Sequence, residues 1–170
     1  MIPTMADSVS SDSRTWALPH RPVTSPATSP EMVEILVVDD RVDQLLTLGH
    51  VLGSPEYRLR TARSGQDALR LLSEHDFAVL LLDVYMPGMD GFELARRLRA
   101  IPETRASLYV ALTGYGQPGD RLSAREAGFD HHLTKPADPN EVLELIAAWR
   151  SARQAAPRDE PAAGAAAEHT

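Results

Sequence analysis

The stretch LLLDVYMPGMDG, residues 80–91, decides how this chain is read. With Phe77, Ala78 and Val79 ahead of it, the leucine run has the length and continuity of a β-strand buried on both faces. It stops at Asp83, a carboxylate, and the turn formers Pro87 and Gly88 follow at once. A core strand that ends on an acid needs a reason, and the rest of the sequence supplies one.

Working outward, runs of strand length alternate with segments of helical period. EILVVDD precedes Val42, Leu45, Leu46 and Leu52 at helical spacing; YRLRTA precedes Ala68, Leu69 and Leu72; FAVLLLD precedes Phe92, Ala95 and Leu98. LYVALT leads to a weaker helical segment with Leu122 and Ala127, and HHLTK to Val142, Leu145, Ile146 and Trp149. Five such βα units predict an α/β fold: a single five-stranded parallel sheet with helices on both faces, because each parallel return needs a crossover. The first, third and fourth strands are the most apolar and are expected at the centre.

Residues 1–31 are rich in Ser, Thr and Pro without apolar periodicity, and residues 154–170 are rich in Ala and Pro. Both are expected to be disordered tails flanking a domain at 32–153, since neither can bury enough surface to offset its ordering entropy. The chain of 170 residues has no cysteine, which excludes disulfides, thiolate metal sites and a Cys nucleophile and makes a reducing cytoplasm the expected compartment. No secretion signal or membrane-spanning run is evident. A formal net charge of -7 disfavours direct partnership with nucleic acid or anionic membrane.

In an open parallel sheet the functional crevice lies beyond the carboxyl ends of the strands. The residues there are Asp39 and Asp40, Asp83, Thr113 and Lys135. Taken singly, each has a simpler explanation: the first two as helix caps, Asp83 as a turn former, Thr113 as a strand residue. Lys135 is harder to set aside, because it is the only lysine among 17 basic residues. Three converging carboxylates repel one another unless a cation sits among them, and Mg2+ suits hard oxygen ligands completed by phosphate. One carboxylate then becomes a nucleophile toward phosphorus, with a hydroxyl and an ammonium to hold the phosphoryl oxygens.

These motifs, VVDD, LLLDVYMPGMDG, ALTG and LTKP in this order, closely resemble the receiver domain of two-component response regulators, of the stand-alone, chemotaxis-regulator-like kind. The resemblance spans roughly residues 33–152 and implies the flavodoxin-like strand order 2-1-3-4-5. It implies that Asp83 accepts a phosphoryl group from a phosphohistidine, and that Asp39, Asp40, Asp83 and the backbone carbonyl of Tyr85 bind Mg2+. Thr113 resembles the switch hydroxyl, Lys135 the lysine that pairs with the phosphoryl group, and Pro136 the residue that shapes the following loop. Partners implied are a sensor histidine kinase or histidine phosphotransfer protein and an output protein. Such a chain is a phosphoacceptor rather than an enzyme with turnover; a phosphorelay shuttle and a non-switching scaffold are the alternatives.

One position departs from the family pattern. Receivers usually carry Tyr or Phe three residues before the motif lysine, and here His132 stands there, which puts the usual route of output in question. Gly114, Gly116 and Gly119 formally match a dinucleotide-binding fingerprint, but too little chain follows for a second mononucleotide half. A haloacid dehalogenase-type phosphatase needs an acid two residues after its nucleophile, where this chain has Tyr85. His131 and His132 fall on opposite faces of a strand and are not a metal pair. Arg96, Arg97 and Arg99 read as the solvated face of a helix.

Overall fold

The layer that each side chain enters alternates even where hydrophobicity does not. In the computed structural model, which describes residues 32–41, 49, 52–53, 55–114 and 118–155, the continuous apolar runs become strands whose successive side chains enter two different cores. The strands are β1 (Val33–Val38), β2 (Tyr57–Ala62), β3 (Val79–Asp83), β4 (Leu108–Thr113) and β5 (His131–Thr134). Leu36, Val38, Leu80, Leu82, Tyr109 and Ala111 pack in one layer, and Ile35, Val37, Val79, Leu81, Val110 and Leu112 in the other. A two-sided sheet demands apolar residues at every position, which is why period 2 was invisible in the sequence.

All pairings are parallel and the order is β2-β1-β3-β4-β5. The three most apolar strands are central as expected: every residue of β3 and β4 is buried, whereas β5 at one edge has none buried. The fold class is the one expected, α/β and flavodoxin-like in strand order.

Four helices are described: α1 (Gly65–Glu74), α2 (Gly91–Arg99), α3 (Pro118–Ala127) and α4 (Pro139–Ala155). The helix expected at Val42, Leu45 and Leu46 lies outside the described residues, although Leu52 is fully buried in the layer beneath α4. The expected tail at 1–31 is also outside them; the other was expected to begin at residue 154, but α4 runs on through Ala155, and residues 156–170 lie outside the described ones. Ser64 caps α1 by accepting the Asp67 N–H at 3.1 Å, and Asp90 caps α2 by accepting that of Glu93 at 2.7 Å. Their inward stripes are Ala68 and Leu72 on α1, and Leu94, Ala95 and Leu98 on α2. Among the described residues no helix is long and apolar enough to cross a membrane.

Two readings are corrected. Leu122 does not anchor α3: it is 63% exposed, and Ala124 and Ala127 carry the buried stripe instead. Arg99 does not belong to a solvated face. Its guanidinium donates to the carbonyls of Gly128 (2.8 Å) and Arg105 (2.7 Å) and to Asp130 Oδ2 (2.7 Å), and lies 3.8 Å from the Tyr109 ring centroid. It ties α2 to the entries of β4 and β5. Arg97, by contrast, pairs with Glu93 on its own exposed helix face, as expected.

Candidate functional site

Parallel strands of matched register end together, so the residues just past them meet. Asp39 follows β1, Asp83 closes β3, Thr113 closes β4 and Lys135 follows β5. Backbone bonds lock this end of the sheet: Asp39 N–H to Ala62 O at 3.1 Å, Val84 N–H to Leu112 O at 3.1 Å, and Lys135 N–H to Thr113 O at 2.7 Å. The Lys135–Pro136 peptide is cis.

At the centre stands the Lys135 ammonium, 2.7 Å from Asp39 Oδ2 and 2.6 Å from Asp83 Oδ2. Asp39 is fully buried and Asp83 3% exposed. Asp40 joins them, and carboxylate oxygens of all three lie within 4.8 Å of one another. When ionised, three carboxylates against one ammonium leave a surplus of negative charge in a desolvated place. Burial pushes the Asp83 carboxyl above its ordinary range, against the lowering hydrogen bonds from Lys135 and the Tyr85 N–H and the charge of Lys135; the charge of Asp39 pushes it further up.

The remaining lone pairs show what the cluster lacks. Asp39 Oδ1 accepts the Arg41 N–H at 2.8 Å, and Asp83 Oδ1 that of Tyr85 at 3.0 Å. Beyond its 2.7 Å ion pair with Lys135, the buried Asp39 Oδ2 has no hydrogen-bond donor among the described residues. Hard oxygen donors, surplus negative charge and an under-satisfied buried carboxylate suit a small divalent cation.

Thr113 is buried, and its hydroxyl faces the Leu133 carbonyl at 3.4 Å, long for such a bond. His132 sits on β5 opposite Ala111 and is partly buried, while His131 is exposed. So the structure brings Asp39, Asp40, Asp83 and Lys135 into contact range, places Tyr85 beside Asp83 through its backbone, and leaves the Thr113 hydroxyl on the β5 side. Gly116 lies outside the described residues.

Sequence reasoning missed two features. A Cβ on Gly91 would stand 2.2 Å from the Asp83 carbonyl oxygen, so only glycine lets α2 press against the peptide of the central acid. The Gly91 N–H also bonds Val84 O at 3.1 Å. Its place at the end of the MPGMDG segment was the available signal. The second is the Tyr85 phenol, which donates to Asp120 Oδ1 at 2.6 Å. Nothing in a separation of 35 residues announces that pair.

The profile described as "Response regulator receiver domain" matches residues 35–147, and this chain belongs to that family. It is similar to an uncharacterised 14.6 kDa protein of Leptolyngbya boryana, 40% identical over 114 residues that cover 67% of this chain and 87% of the other. It is also similar to the transcriptional regulatory protein SrrA of Staphylococcus aureus, 35% identical over 117 residues, 68% of this chain; the chain matches only 46% of SrrA's length. Among solved structures, the chemotaxis protein CheY4 of Vibrio cholerae superposes with a TM-score of 0.65 at 28% identity, covering 69% of this chain and 98% of that one. Receivers are phosphoacceptor signalling domains of two-component systems, in which an acidic pocket binds Mg2+ and histidine kinases and output proteins are the partners.

Proposed function

We propose that this protein is a phosphorylation switch of the cytoplasm: Asp83 accepts a phosphoryl group from the phosphohistidine of a sensor histidine kinase or histidine phosphotransfer protein, and an output protein reads the result. Asp39, Asp40, Asp83 and the Tyr85 carbonyl would hold Mg2+. That ion, when bound, offsets the repulsion among the carboxylates and the incoming phosphoryl oxygens.

The observation that carries the reading is the Lys135 ammonium held between Asp39 and Asp83 at 2.7 and 2.6 Å in a cluster with more carboxylates than cations. An Asp83 oxygen attacks phosphorus, the phosphorus–nitrogen bond to the donor histidine breaks, and the imidazole nitrogen leaves with the electron pair. Burial in a strand end keeps that oxygen poorly solvated and fixed in direction. Lys135 needs only a small shift to exchange an Asp83 contact for a phosphoryl oxygen. The Thr113 hydroxyl gives up only a 3.4 Å contact if it turns the same way.

Acetyl phosphate with Mg2+ is expected to add one phosphoryl group, labile to hydroxylamine as an acyl phosphate is. Asp83→Asn is expected to remove the labelling, since an amide is no nucleophile here. Equal labelling of that variant, read by intact mass, would refute the assignment.

A further inference from the structure

Tyr85 is 55% exposed, yet its phenol is not left to water. It donates at 2.6 Å to Asp120, a buried residue in the first turn of α3. At its other end the Tyr85 backbone N–H donates at 3.0 Å to Asp83 Oδ1. Residue 85 is therefore pinned at two points, one on the central acid and one on a helix that follows a different strand. An exposed tyrosine ordinarily satisfies its hydroxyl with solvent at no cost in ring freedom. Fixing the ring onto a carboxylate 35 residues away has a consequence for the backbone between the two anchors.

We propose that Asp120 is a positioning residue for the metal site: through the Tyr85 phenol it holds the Tyr85 carbonyl in place for the cation, and through the same bond an occupied site acts on the first turn of α3. The proposal rests on the Mg2+ reading given above. Its physical content is preorganisation, because a carbonyl already held where a cation needs it costs less to bind with than one that must be ordered. Reciprocity follows. Whatever the phenol bond contributes to cation affinity, the bound cation returns to the bond, and so to α3. Helix α3 needs no contact of its own with the carboxylates to sense them.

The test uses the full chain, wild type and Tyr85→Phe, which keeps the ring and deletes the hydroxyl. Mg2+ affinity is measured by calorimetry, and amide exchange over 118–127 is followed with and without Mg2+. The variant is expected to bind Mg2+ about fivefold more weakly, the lower end of common coupling factors. Its α3 amides are expected to exchange faster in Mg2+-free solution, and the protection that Mg2+ confers on them in wild type is expected to be lost. Asp120→Asn keeps an acceptor oxygen while dropping the charge, and should fall closer to wild type than Tyr85→Phe does. Equal Mg2+ affinity in wild type and Tyr85→Phe would overturn the proposal, as would a loss in Asp120→Asn alone, which would mark simple charge attraction. If wild type takes up no Mg2+, the metal reading fails instead. The exchange rates of α3 in Mg2+-free protein then decide the tether separately: unchanged rates in Tyr85→Phe would remove it.

Discussion

The sheet carries a charged cluster at each end, and the two are built from the same ingredients to opposite effect. At the amino end Arg99 meets Asp130; at the carboxyl end Lys135 meets Asp39 and Asp83. Around Arg99 the donors and acceptors match: carbonyls of Arg105 and Gly128 receive the guanidinium, and Asp130 Oδ2 also accepts the Tyr109 N–H at 2.8 Å. Around Lys135 they do not: among the described residues one ammonium serves a cluster of three carboxylates, and beyond its ion pair with Lys135, Asp39 Oδ2 has no hydrogen-bond donor. A satisfied cluster holds elements together. One with surplus acceptors is prepared for a charge that its described neighbours do not supply.

Each cluster also depends on a glycine, which gives the sharpest way to set them against each other. Gly91→Ala should have the largest effect, since its Cβ meets backbone at 2.2 Å and neither side can yield cheaply. A loss of about 3 kcal/mol in chemical denaturation is expected, with labelling by acetyl phosphate slowed about tenfold or more as Asp83 is displaced. Arg99→Ala should cost about 2–3 kcal/mol through its lost charge-assisted bonds, discounted for partial exposure, and leave labelling intact. Reduced labelling in a folded Arg99→Ala protein would break the separation between the two ends.

Gly128 has φ +95°, and a Cβ there would stand 2.9 Å from Arg99 Cγ. Gly128→Ala is therefore expected to cost about 1–2 kcal/mol, again without effect on labelling. The smallest effect concerns Tyr109, whose phenol is raised above its ordinary value of 10.0, chiefly by burial. The folded protein then keeps a proton that the unfolded chain releases, so the stabilising contribution is fully present below pH 10 and declines as pH rises toward the raised value. Relative to Tyr109→Phe, wild type should lose stability above pH 10 at up to about 1.4 kcal/mol per pH unit. Parallel pH curves for the two proteins would show that burial does not hold the phenol neutral.

The carboxyl end was legible in the sequence because a parallel sheet gathers its strand ends at one place. Asp39, Asp83 and Thr113 each stand where an apolar run stops, and Lys135 follows the short HHLT strand, so finding the strands found the cluster. The amino end was not, because the partners of Arg99 are mainly main-chain carbonyls, which no residue type announces. Spacing along the helix gave only a weak signal: Arg99 follows buried Ala95 by four residues, but Arg97 follows buried Leu94 by three, so both flank the stripe of α2. Helix α3 was misread at Leu122 because alanines carry its buried face, and small residues write a weak hydrophobic period. The Tyr85–Asp120 bond joins segments that only the finished sheet brings together.

The most direct test of the contrast between the ends is the Mg2+-dependent shift of the thermal midpoint, compared in wild type, Asp40→Ala and Asp130→Ala. A cation that binds the folded state raises its stability by mass action. The shift is predicted to be present in wild type, retained in Asp130→Ala despite a lower starting midpoint, and lost or sharply reduced in Asp40→Ala. An undiminished shift in Asp40→Ala, or its loss in a folded Asp130→Ala protein, would contradict the assignment of the cation to the carboxyl end of the sheet.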